Sequence, residues 1–151
     1  MTDVLFYHLT TRSLDEALPG LIERAYERGW RVMVQTGGPE RSRHLSRVLW
    51  TFRPDAFVPH GCEGDGDEAA ASQPVWLTSD AAAPNDPQIR FTVDGAAPPA
   101  LDGLERAIFM FDGRDEDAVA GARAEWKRQK AAGHELTYWQ QDEEGRWNRR
   151  G

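Results

Sequence analysis

Arg123, Trp126, Lys127 and Lys130 recur at i, i+3, i+4 and i+7 in "DEDAVAGARAEWKRQKAAG" (115 to 133), so a helix there presents three cations and an indole along one face. Cations beside an aromatic ring suit an acidic peptide, whose carboxylates need pairing and whose apolar end needs a pocket. The same residues also admit a structural reading. "DED" at the start and Lys/Arg at the end complement the helix dipole, and Trp126 with Val119 and Ala122 can simply be core.

The second concentration is "LWTFRPDAFVPHGCEG" (49 to 64), where Trp50, Phe52 and Phe57 surround Pro54 and Pro59, and His60, Cys62 and Glu63 follow. His60 and Cys62, with Glu63 and Asp65, have ligand types for zinc, but a structural site needs four ligands in two spaced pairs and the second pair is missing. A Cys and a His separated by one glycine do not supply the oriented base that activates a thiolate. "TGGPE" (36 to 40) offers backbone N–H groups to an anion at a helix N-terminus, yet a Gly-Gly-Pro turn is equally what a strand-to-helix connection needs. The turn after the first strand, "HLTTRSLDE", has no glycine, and the chain contains no G-x-G-x-x-G, G-x-x-x-x-G-K-[ST] or G-x-S-x-G pattern. No catalytic residue, metal or cofactor is expected.

The elements that carry these residues follow from periodicity. "VLFYHL" (4 to 9) and "RVMVQT" (31 to 36) read as short buried strands. The helix between them starts either near Leu14, where "SLDE" has capping-box spacing, or at Pro19, and stops at Gly29. Strand, helix and strand in so short a span make a βαβ unit and imply parallel pairing. A second helix enters at Pro39, buries Leu45, Val48, Leu49 and Phe52, and ends at Pro54. Residues 61 to 72 read as a surface loop, 74–79, 89–95 and 105–113 as strands, and 135–141 as an added edge strand. The expected architecture is a single-domain α/β Rossmann-like open sheet, mostly parallel, with flanking helices. It spans residues 1–141, and 142–151 form a polar C-terminal tail whose order depends on whether Trp147 finds a pocket.

The 151 residues suit one domain, and 40% hydrophobic content is ordinary for a globular protein. A net charge of −7 disfavours a surface that grips nucleic acid throughout, because phosphate binding needs clustered cations. Acids gather in "CEGDGDE" and "DGRDED", whereas Arg123, Lys127, Arg128 and Lys130 crowd one segment. One cysteine, no leader-like start and no long apolar run give a cytoplasmic protein without a membrane segment as the expectation.

The ordered pieces "FYHLT", "ALPGLIERAYERGWRVMVQT", "LWTFRPDAFVPHG" and "EWKRQKAAGHEL" resemble the chi subunit family of bacterial DNA polymerase III, a clamp-loader accessory family. The most specific pieces are the Trp50-to-His60 spacing and the Trp126-to-Gly133 segment; residues 61–72 and the tail after Leu136 match poorly. The resemblance implies a non-enzymatic α/β adaptor with two faces, contacting DNA only indirectly. One face holds the acidic C-terminal tail of single-stranded DNA-binding protein, on Arg123, Trp126, Lys127 and Lys130. Trp126 stands where the family leads us to expect a tyrosine, which keeps a stacking surface without the hydroxyl. The other face, with Trp50, Pro54, Phe57 and Pro59, holds the psi subunit. His60 and Cys62 are then loop residues without chemistry. The alternative is a small Rossmann-like enzyme or ligand-binding domain using the sheet edge near Gly37 and Gly38.

Overall fold

A computed structural model of the chain describes residues 2–150. The elements run β1 (Asp3–Leu9), α1 (Leu14–Glu27), β2 (Val32–Gln35), α2 (Pro39–Thr51), β3 (Gly61–Cys62), α3 (Asp67–Ser72), β4 (Val75–Thr78), β5 (Ile89–Thr92), β6 (Arg106–Asp112), α4 (Glu116–Ala131), β7 (Glu135–Gln141) and β8 (Trp147–Arg149). The strands form one sheet in the order β3-β4-β2-β5-β6-β1-β7-β8, parallel except for the β7–β8 pair. The expected Rossmann-like, mostly parallel open sheet is therefore present.

Ser13 settles where α1 begins. Its side chain accepts from the Glu16 N–H (3.3 Å) while the Glu16 carboxylate accepts from the Ser13 N–H (3.0 Å), so two orphan donors are satisfied together. Pro19 lies inside the helix and is buried, so it does not reset the start. Gly29, at φ +85°, provides the left-handed exit expected of it.

Alternation along the strands sorts side chains between two layers. Leu5 and Leu9 of β1 join Val32, Val34, Phe91 and Ile108 beneath α1 and α2, whose Leu18, Ile22, Leu45 and Leu49 close the main core. Val4 and Phe6 of β1 face the other way, with Ala107, Phe109 and Leu101, under Ala122 and Trp126 of α4. α4 packs chiefly on β6, β7 and β1. Over β2 and β5 the second layer is made by connecting segments: buried Arg90 donates to Gln35 Oε1 and to the Ala81 carbonyl (2.8 Å), and Gln35 Nε2 donates to the Ala97 carbonyl (3.0 Å). Burial without a carboxylate partner pushes the Arg90 guanidinium down to about 10.

Three elements depart from expectation. Residues 61 to 72 hold β3 and α3 rather than a plain loop. β7 is not the sheet edge, because β8 pairs with it antiparallel through Trp139↔Arg149 and Gln141↔Trp147. Trp147 finds its pocket on Tyr7, ring centroids 4.5 Å apart. Finally, the strand expected over 89–95 stops at Thr92, since Asp94 takes φ +57° and turns the chain.

Candidate functional site

α4 is set by its ends. The Asp115 carboxylate accepts from the N–H groups of Asp117 (3.0 Å) and Ala118 (3.3 Å), and Arg128 and Lys130 occupy the last turn. On this frame Arg123, Lys127 and Lys130 are exposed on one face, and among the described residues no carboxylate lies within ion-pair distance of any of them. Arg128 behaves differently: it pairs with the buried Glu125 carboxylate at 2.5 Å, and Gln129 also donates to that carboxylate at 2.7 Å. The crowd of four cations thus resolves into three free charges and one structural one.

Trp126 borders the free charges and is half-buried. Its ring meets Phe6 edge-on at 5.2 Å and Tyr138 at 6.2 Å, so the core reading is partly right as well. The Tyr138 hydroxyl bonds to His8 Nδ1, and His8 packs so closely on Gly113 that a Cβ there would lie 1.7 Å from its Nε2. Burial lowers the His8 pKa, opposed by the Asp112 charge. Burial likewise raises that of Tyr138, opposed by the nearby Arg123 guanidinium. The result is an aromatic floor with a cationic rim, and neither His8 nor Tyr138 stood out in the sequence as part of it. The reason is that β7 pairs with β1, which no local pattern announces.

The second concentration lies across the sheet, where α2 packs on β4 and β3. α2 ends at Thr51, and Arg53, Pro54, Asp55 and Ala56 form a turn in which the Ala56 N–H donates to the Arg53 carbonyl (3.2 Å). Pro54 is exposed and Pro59 half-buried. Arg53 pairs with Glu23 of α1 at 2.6 Å, which holds the turn against the body. Leu49 is core and Phe52 packs against it, whereas Trp50 and Phe57 are 54% and 64% exposed, the large hydrophobic side chains most open to solvent among the described residues. Their rings lie 5.5 Å apart, and Trp50 also rests on His60 at 4.9 Å. Two adjacent exposed aromatics on a braced turn form a contiguous apolar patch of the kind that partners cover.

His60 and Cys62 are not loose loop residues. His60 is buried, with Nδ1 bonded to the Val58 carbonyl (2.9 Å) and Nε2 facing the Ser46 hydroxyl (3.0 Å), so it braces the Trp50 ring. Cys62 is a buried β3 residue whose thiol pKa is raised, first by burial and then by the Asp65 charge, which keeps it protonated. Asp65 accepts from the Cys62 N–H (2.8 Å) and Glu63 from the Ser79 N–H (2.8 Å), so both acids tie the chain locally. Among the described residues no three His, Cys, Asp or Glu side chains converge as a metal site.

At the Gly-Gly turn, Asp94 Oδ2 accepts from the Gly37 N–H (3.1 Å) and pairs with Arg41 (3.2 Å). A protein carboxylate therefore already takes the Gly37 N–H that a phosphate would have needed. A cleft of about 570 Å³, bordered by Arg41 and Asp94 of this turn, opens at the carboxyl ends of β5, β6 and β1.

The model of one protein family, described as the DNA polymerase III chi subunit, HolC, matches residues 1–137. A curated relative named "Probable DNA polymerase III subunit chi", from Rickettsia prowazekii (strain Madrid E), is 27% identical over 89 residues, or 59% of this chain. The match spans about half of that relative's length, 53%.

Proposed function

Since the chain belongs to the DNA polymerase III chi subunit family, we propose that it is a non-enzymatic adaptor of the clamp loader that receives the acidic C-terminal tail of single-stranded DNA-binding protein on α4. One observation supports this reading: three exposed cations without acidic partners share one face of α4 with the half-buried Trp126. An ordinary solvated helix face pairs its charges along the helix, as Arg128 does with Glu125. Here Arg123, Lys127 and Lys130 remain available for carboxylates, and the Trp126 edge and its aromatic floor offer apolar contact to the residue that ends the tail. Contact with DNA is indirect, through that protein.

The psi subunit binds the other face, on Trp50, Pro54, Phe57 and Pro59, and so attaches the adaptor to the clamp loader. The exposed aromatic pair on its proline-bounded turn supports this assignment. A cytoplasmic location follows from the role in replication. The alternative, a nucleotide-binding or enzymatic Rossmann-like domain near Gly37 and Gly38, is disfavoured by the Asp94 carboxylate that already holds that turn.

Fluorescence anisotropy with a labelled acidic peptide that ends in an apolar residue and a free carboxylate tests the proposal, beside the same peptide as its C-terminal amide. We expect saturable binding that weakens on amidation. A nucleotide that raises the melting temperature, together with no peptide binding, would replace the adaptor reading with the ligand-binding one.

A further inference from the structure

β6 and β1 are neighbours whose following helices leave on opposite faces of the sheet, α4 toward β7 and α1 toward β2. The two connections cross over each other's strands on opposite faces, and the starts of α1 and α4 border a space at the carboxyl ends of the strands, the end at which open α/β sheets take ligands. The cleft of about 570 Å³ lies there, within the size range of binding pockets. Its floor is apolar, from Leu9, Phe109 and Phe111 on the strands and Ala118 and Ala122 on α4. Gly121 lines it too, and a Cβ added there would meet nothing within 4 Å. Packing does not require that glycine, and glycine within a helix is unfavourable, so the position leaves space open against local propensity.

The polar lining is sorted by charge. Arg41 pairs with Asp94 (3.2 Å), Arg114 with Asp112 (2.9 Å), and Glu125 is held by Arg128 and Gln129. Asp115 and Asp117 are left without a cation partner among the described residues. Asp115 also caps α4 through the Asp117 and Ala118 N–H groups, so with Arg41, Arg114 and Glu125 paired the cleft offers shape, apolar contact and the negative charge of Asp115 and Asp117. That suits a side chain anchored on a peptide better than a small polar molecule. It also repels an acidic tail.

We infer that this cleft is a second docking site, for a basic peptide segment of a protein partner that inserts a large apolar side chain between flanking Lys or Arg residues. α4 then separates two partners by sign, a basic segment at its acidic first turn and an acidic one at its cationic second half. The inference stands whether or not the tail binds Arg123 and Lys127.

The test uses a fluorescein-labelled, end-blocked Lys-Lys-Leu-Trp-Lys-Lys peptide and its Ser-Ser-Leu-Trp-Ser-Ser analogue with the whole chain. We expect the basic peptide to bind and the serine analogue to bind at least tenfold more weakly. Gly121→Leu fills the cleft and should abolish binding while keeping or raising the melting temperature. Asp115→Asn with Asp117→Asn keeps an N-cap side chain, because Asn caps as well as Asp. That pair should weaken binding about fivefold, the scale of exposed charge pairs. Glu68→Gln with Glu143→Gln makes the same charge change elsewhere and should leave affinity unchanged. Equal loss from the two pairs, or undiminished binding to a folded Gly121→Leu, would overturn the inference. Should Gly121→Leu fail to fold, the comparison of the two charge pairs decides alone. Free tryptophanamide binding as tightly as the peptide would show a small-molecule pocket and also overturn it.

Discussion

Trp50 and Trp126 look alike in sequence, each an indole on a helix beside basic residues, but they occupy opposite environments. Trp50 has its ring out in solvent against Phe57 and on His60, beyond a helix whose buried side is already filled by Leu45 and Leu49. Trp126 is half-buried and edge-on to Phe6 and Tyr138, within the smaller core cluster. Truncation of Trp50 should therefore act on association, and truncation of Trp126 on folding and association together. What decides is whether the helix has other residues large enough to fill its inner stripe. α2 has them; α4 has Ala122, Glu125 and Gln129 there and must use its indole.

The largest expected effect is on Trp126→Ala. Full burial of such a ring is worth ~3–5 kcal/mol on truncation, so its partial burial predicts a loss of about 2 kcal/mol, read from urea unfolding, together with loss of tail-peptide binding. A fully stable Trp126→Ala would remove the contrast. Trp50→Ala should keep a cooperative melt, within about 0.5 kcal/mol of the parent, and full tail-peptide affinity. It should also lose roughly 2 kcal/mol or more in clamp-loader association, measured by pulldown from native extract. Unfolding of this variant would mark Trp50 as core and withdraw the docking face.

Gly113→Ala sharpens the account of the floor. A Cβ at 113 collides with the His8 ring, so the variant should lose about 1–2 kcal/mol of stability and disturb the His8–Tyr138 bond, visible in the imidazole NMR signals. An unchanged His8 resonance would show that the floor is not rigid. The smallest effect is on pH dependence. The folded-state pKa of His8 is lowered, mainly by burial, so the unfolded chain binds the proton more readily. Its contribution is present above the unfolded value of about 6.5 and is lost as pH falls through the folded value. Between pH 7.5 and 5.5 the parent should lose more stability than His8→Gln, and equal losses would refute the shift.

Much of the frame was legible because it follows from local pattern. The strands at β1, β2 and β6 are largely apolar runs, and "SLDE" offered the start that α1 takes, with Pro19 as the competing one. β3, α3 and β8 were not, since Gly-Cys has no periodicity, a six-residue helix lacks a full apolar stripe, and "WNR" is polar. β8 exists because a turn after Asp142 folds it onto β7 and Trp147 reaches Tyr7. At the candidate sites, helical spacing was enough to put Arg123, Trp126, Lys127 and Lys130 on one side of α4. The aromatic floor was invisible, because His8 and Tyr138 meet only through strand order, and so was the cleft, although "DGRDED" displayed the acids that line it.

The central claim is that the unpaired cations on α4 receive an acidic tail, and Arg123→Ala with Lys127→Ala tests it most directly. Both side chains are exposed and without acidic partners, so the double variant should melt within about 0.5 kcal/mol of the parent. Its tail-peptide affinity, measured by anisotropy at low salt, should fall by about 2 kcal/mol, some thirtyfold, and the gap should narrow as added salt screens the parent's advantage. A folded double variant that binds the peptide as tightly as the parent at every salt concentration would contradict the claim.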